Sequence, residues 1–141
     1  MATNTVFSPQ KPAEIWVNGA TVGSGIPVVT AAGQAGFTAT GTGDYTTSDE
    51  VGPYTLSGIP AGGVGLAGKE VSVYVDGTFE FAVTGGTTST LQNVLVYAVV
   101  ASGAVTSLTL TSTSNTLFGK VNYPGNGYEK VAGILPVQIG V

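Results

Sequence analysis

The stretch Glu70-Val71-Ser72-Val73-Tyr74-Val75-Asp76-Gly77-Thr78-Phe79-Glu80-Phe81-Ala82-Val83-Thr84 decides the fold. Val71, Val73 and Val75 alternate with Ser72, Tyr74 and Asp76, and beyond Gly77 Phe79, Phe81 and Val83 alternate with Glu80, Ala82 and Thr84. A two-residue repeat of β-branched and aromatic side chains is the period of a half-buried strand. Asp76-Gly77 on its own signals a two-residue hairpin turn. That register sets Val75 opposite Thr78 and Val73 opposite Glu80, which mixes the faces. A three-residue connection, Asp76-Gly77-Thr78, pairs Val75 with Phe79, Val73 with Phe81 and Val71 with Val83, so that every apolar residue shares one face. The longer connection is preferred.

Further along, residues 91–101 and 104–111 form a second hairpin candidate joined at Ser102-Gly103. The first of its strands is apolar on both faces around residues 94–100, the pattern of a central or covered strand. In the second, Thr106, Leu108 and Leu110 alternate with Ser107, Thr109 and Thr111, giving one wet face. Residues 117–121 read as another short strand, 122–127 as a turn-rich loop, and 131–141 as the closing strand. There Leu135, Val137, Ile139 and Val141 share a face, and Pro136, which has no N–H, places the strand at an edge or a bulge. Upstream, residues 14–17 read as a first strand ended by Asn18-Gly19, with short strands expected near 27–31 and 36–40. Trp16 reads as core. Residues 41–50 and 57–68 read as loops, the usual location of contacts on a β scaffold. Residues 1–13 read as an extended arm, because Pro9 and Pro12 fix φ and remove two backbone donors. Val6 and Phe7 are the apolar residues of that arm. They either tuck onto the domain or dock onto a partner.

Helical periodicity is missing, and Gly and Pro punctuate the whole chain. The expected class is all-β: a single compact β-sandwich or small β-barrel of short antiparallel strands over residues 14–141, with the extended arm at 1–13.

Composition narrows the chemistry. The 141 residues include no His, no Cys, no Arg and four Lys. The usual proton shuttle, thiolate nucleophile and phosphate clamp are therefore lacking. Charged residues make up 9%, against roughly 25% in an ordinary soluble domain, so Thr, Ser, Asn, Gln and Gly must cover the surface. Such a surface meets another protein with little ionic desolvation. The net charge of −4, with Lys11, Lys69, Lys120 and Lys130 scattered along the chain, argues against nucleic-acid binding. Without Cys there is no disulfide framework. The first residues carry neither a basic nor an apolar signal region, no apolar run is long enough to span a membrane, and no Asn-x-Ser/Thr sequon occurs.

Four local patterns invite chemical readings. Gly63-Val64-Gly65-Leu66-Ala67-Gly68-Lys69-Glu70 matches most of a phosphate-binding loop, but Glu70 stands where Mg²⁺ needs Ser or Thr, and a strand follows where a helix should open. Asp44, Asp49 and Glu50 offer hard oxygens for Ca²⁺, without EF-hand spacing. Glu70, Asp76 and Glu80 are the candidate carboxylates for glycosyl hydrolysis, with nothing to suggest a shared cleft. Tyr45, Tyr54, Tyr123 and Tyr128 lie on expected loops and would form an aromatic platform for sugars, or cap the ends of a β domain. In each case the plainer reading is preferred: no catalytic residue, no metal and no cofactor.

From Leu66 onward the order of features is a Gly-rich lead-in, Glu70-Val71-Ser72-Val73-Tyr74-Val75-Asp76-Gly77-Thr78-Phe79-Glu80-Phe81, then Asn93-Val94-Leu95-Val96-Tyr97-Ala98 and Ser102-Gly103-Ala104-Val105-Thr106. Leu117-Phe118-Gly119-Lys120-Val121 and Leu135-Pro136-Val137-Gln138-Ile139 follow. This order, over residues 64–141, resembles the small capsid cement, or head decoration, proteins of tailed bacteriophages. Their "V-x-V-x-V-x-G-x-F" segment precedes a "V-Y" strand, a "G-x-V-T" turn and an "I/F-G" strand. Residues 14–63 form a longer and more irregular lead than compact members have. The resemblance implies a non-enzymatic virion protein on the outer surface of the expanded head, made in the host cytoplasm. Its partners would be the major capsid protein and itself, as a homotrimer, without nucleic acid or membrane. Val6, Phe7, Pro9 and Pro12 are the candidate partner-binding residues. A virion-displayed host-surface or glycan-binding β module is the alternative.

Overall fold

A computed structural model describes residues 5–17, 25–30, 32–40, 50–51, 54–55, 70–125 and 127–140. Every regular element among them is a strand: β1 (Thr5–Phe7), β2 (Glu14–Val17), β3 (Pro27–Val29), β4 (Ala35–Thr40), β5 (Glu50–Val51), β6 (Tyr54–Thr55), β7 (Glu70–Tyr74), β8 (Gly77–Thr84), β9 (Leu95–Ala101), β10 (Ala104–Thr109), β11 (Thr116–Val121) and β12 (Ile134–Ile139). The all-β expectation holds, and of its two architectures the structure has a small barrel with a second sheet packed on it.

The barrel ring runs β8-β10-β9-β11-β12 and returns to β8. All of its pairings are antiparallel except β8 with β10, where Leu108 lies opposite Val83 and Thr109 opposite Thr84 in parallel. Directions cannot alternate all the way round a ring of five strands, so closure forces one parallel neighbour. The expectation of purely antiparallel strands fails at that pair alone. Because β10 meets β8 only at Val83 and Thr84, the start of β8 keeps an open edge, and β1 pairs there with Thr78 and Phe79.

The expected hairpin across Asp76-Gly77-Thr78 does not form. β7 pairs with β2 and β4 in a second sheet ordered β2-β7-β4-β3, whereas β8 pairs with β12, β10 and β1. Gly77, at φ +102°, turns the chain from one sheet into the other. Val73, Val75, Phe79, Phe81 and Val83 are nevertheless all buried. Alternation tells which side chains enter the core and is blind to which backbone supplies the hydrogen bonds.

The second hairpin forms as expected. Ser102 and Gly103 have φ of 52° and 77°, the double positive φ of the tight turn whose twist suits a hairpin, and Ala104 pairs with Ala101. The hairpin's register shifts between Val105 and Ser107, and both Leu108, opposite inward Ala98, and Thr109, opposite outward Tyr97, are buried, so Thr109 is not on a wet face. β9 is central, between β10 and β11, but only one of its faces is buried: Val96 and Ala98 point inward while Leu95 is 44% exposed.

Pro136 lies neither at an edge nor in a bulge, since β12 sits between β11 and β8. The C=O of Pro136 accepts from the Asn122 N–H at 2.8 Å, on the β11 side. A strand residue points its N–H and C=O the same way, so the missing donor faces the place where the β11 pairing ends at Val121–Val137. Next to it, β11 crowds β12 closely enough that a Cβ at Gly119 would collide with the Gln138 carbonyl oxygen.

One core serves both sheets. Phe37 of β4 lies 4.3 Å from Phe79 and 5.1 Å from Phe81, ring centre to ring centre, and Phe81 meets Phe118 edge-on at 5.4 Å. Leu135, Val137 and Ile139 of β12 close the same cluster. Tilted and edge-on ring pairs of this kind add about 0.5–1.5 kcal/mol each beyond area burial. Trp16, expected in the core, is only half-buried, and its Nε1–H donates to Glu14 Oε2 at 2.9 Å.

Candidate interaction surfaces

The arm is extended and lies against the barrel. β1 runs antiparallel to the start of β8, with Thr5 opposite Phe79 and Phe7 opposite Thr78, and the register slips between them. Beyond β1, the backbone N–H groups of Gln10 and Lys11 both donate to the Asp76 carboxylate, to Oδ2 at 2.9 and 3.2 Å. Gly77 lies so close that a Cβ there would come within 3.1 Å of the Phe7 carbonyl oxygen. Asp76, Gly77 and Thr78, which the sequence reading took as a turn, thus form the seat of the arm. Of the four arm residues singled out, Val6 and Pro9 are half-buried, Pro12 is exposed and Phe7 is 44% exposed. The seat residues themselves were missed, because a corner between sheets and a hairpin turn use the same Asp-Gly signal.

A second surface was also missed. Along the outside of β9, Leu95, Tyr97 and Val99 stand on the face opposite buried Val96 and Ala98. Leu117, 41% exposed, lies beside Tyr97 in the register of β11, and Lys120 lies beside Leu95. The signal was present in the doubly apolar run of β9, which the sequence reading assigns to a central or covered strand: β9 is central, and Leu95 on its outer face is 44% exposed among the described residues.

Two of the three candidate carboxylates are engaged elsewhere. Asp76 holds the arm, and Glu80 Oε1 accepts from the Tyr128 hydroxyl at 2.7 Å. Glu70 opens β7, as the strand reading of the glycine-rich segment required, while residues 63–69 lie outside the described residues. Of the calcium candidates, Asp44 and Asp49 lie outside them too, and Glu50 begins β5. Among the described residues no three His, Cys, Asp or Glu side chains gather at metal-binding distance.

Of the four tyrosines, Tyr45 lies outside the described residues and Tyr54 begins β6. The structure brings together Tyr123 and Tyr128, with ring centres 5.7 Å apart. They belong to a clasp that ties the 122–130 loop to the barrel. Tyr123 donates its hydroxyl proton to the Thr90 carbonyl at 2.9 Å and its N–H to Gln92 Oε1 at 2.7 Å. Asn122 Nδ2 donates to Thr78 Oγ1 at 2.9 Å. Burial, followed by the hydrogen bond to Glu80 and that group's negative charge, pushes the Tyr128 hydroxyl far above the usual tyrosine range, and burial raises Tyr123. Lys130 Nζ sits 4.3 Å over the Tyr123 ring, on a face that a sugar would need.

Two surface hollows lie among the described residues. One, of about 550 Å³, runs between the start of β3 and the β8–β10 junction and is lined by Ile26, Pro27, Ala82, Val105 and Leu108. The other, of about 300 Å³, lies under the arm between Lys11, Glu14, Gln34 and Phe118.

Comparison of the chain with models of known protein families, with curated proteins and with solved structures found no match.

Proposed function

We propose that this protein is a capsid cement, or head decoration, protein of a tailed bacteriophage. It binds the outer surface of the expanded head and bridges major capsid subunits, acting as a homotrimer. It needs no catalysis, cofactor, nucleic acid or membrane. The observation that carries the reading is the arm: a strand applied to the outside of a closed barrel by backbone contacts, with Phe7 still 44% exposed. An element so lightly held is suited to contacts with a neighbouring subunit, and many weak copies on one shell gain avidity. The outward apolar residues of β9 and β11 supply a surface for the same shell.

The test is co-sedimentation of the purified protein with undecorated expanded heads of its phage, with unexpanded proheads as control. Saturable binding to expanded heads alone, at a fixed ratio to the major capsid subunit, is expected. Absence of binding to either particle overturns the reading and favours the glycan-binding module. Saturable sugar binding lost with Tyr45 or Tyr54 substitutions would then favour that alternative.

A further inference from the structure

We infer that the seat formed by Asp76, Gly77, Thr78 and Phe79 is a strand acceptor that takes the arm of a second copy of this chain as readily as its own. The inference rests on the proposed reading of the arm as a contact element, and names its partner. Three observations carry it. First, the contacts across the seat are the β1–β8 pairing, two backbone N–H groups on the Asp76 carboxylate, and the close passage of the Phe7 carbonyl over Gly77. All of them use arm backbone, so every copy offers the same arm and the same acceptor. Second, the arm is lightly held, with a three-residue strand of slipped register and Phe7 44% exposed. Closure within one chain is therefore favoured mainly by the high effective concentration of a tethered arm, which packing copies side by side on a shell would match. Third, residues 8–13 join the arm to β2 through Pro9 and Pro12. Prolines bias that connection toward extended chain, which gives the arm reach, and exchange of an identical element between copies is a low-cost route to assembly. Exchange leaves no seat empty, because arms and seats are equal in number.

Two measurements test this without heads, so their failure is distinct from failure of the cement reading. In the first, a fluorescent peptide of residues 3–13 is titrated onto full-length Phe7→Pro protein, whose own arm can no longer complete the ladder. Saturable binding is expected, at least about tenfold tighter than to wild type, where the tethered arm competes. Adding Asp76→Ala to Phe7→Pro should abolish it. In the second, Gln10→Cys protein, the only thiol in the chain, carries a photo-crosslinker and is mixed with heavy-isotope-labelled wild type. Crosslinks from the arm to residues 75–79 of the other isotope are expected, rising with concentration. No peptide binding by the Phe7→Pro protein, or crosslinks confined to one isotope at every concentration, overturns the inference.

Discussion

Tyr128 shows how a single residue couples the loops to the barrel. Its hydroxyl is held protonated by burial and by Glu80 Oε1 at 2.7 Å, so its ionisation lies above the ordinary value of 10.0. A raised pKa means that the folded protein keeps the proton after the unfolded chain has released it. The contribution to stability is complete below about pH 10 and declines as pH rises beyond it. Urea midpoints measured between about pH 8 and pH 11 should fall steeply above pH 10 in the wild type and less steeply in Tyr128→Phe. Equal slopes would show that Tyr128 does not carry the alkaline loss of stability. Asp76 makes the contrasting point. Its type and its neighbour Gly77 were conspicuous in the sequence, yet its work is to accept two arm N–H groups from residues 66 and 65 positions away. No local pattern carries that information.

Among the elements, β9 carries the most consequence for function. Its inner residues Val96 and Ala98 fill the barrel, while Leu95 and Tyr97 line up with Lys120 and Leu117 of β11 on the outside. If this outward row meets the shell, Leu95→Glu and Leu117→Glu should each weaken head binding by tenfold or more, about 1.4 kcal/mol. Both positions are already wet, so the urea midpoint should move little. Unchanged head binding in both variants would remove this face from the interface. The β9–β10 turn offers a separate check on the fold. Ser102, at φ 52°, occupies a position that Asn tolerates better. Ser102→Asn should therefore stabilise the protein slightly, by a few tenths of a kcal/mol, read as a raised melting temperature.

At the scale of the whole molecule, the ring of five strands and the second sheet are joined through Phe37, whose ring packs between Phe79 and Phe81. Truncation of so deeply buried an aromatic, Phe37→Ala, should cost about 3–5 kcal/mol. Because the core is continuous, near-ultraviolet and far-ultraviolet signals should still report one shared unfolding transition. Two separated transitions in the wild type would mean that the sheets are independent units.

The all-β class, the inward-facing set Val73, Val75, Phe79, Phe81, Val83, Leu135, Val137 and Ile139, and the Ser102-Gly103 hairpin were determined by the sequence alone. Each depends on side-chain period or on turn residues a few positions apart, and those are local properties of the chain. Only the tertiary structure decided that β7 and β8 belong to different sheets, that β12 is interior despite Pro136, and that Asp76 seats the arm. It alone also left the outer side of β9 uncovered. These outcomes depend on which backbones meet across long separations. Alternating side chains say which face is buried, but hydrogen-bonding partners are chosen by the closure of the ring.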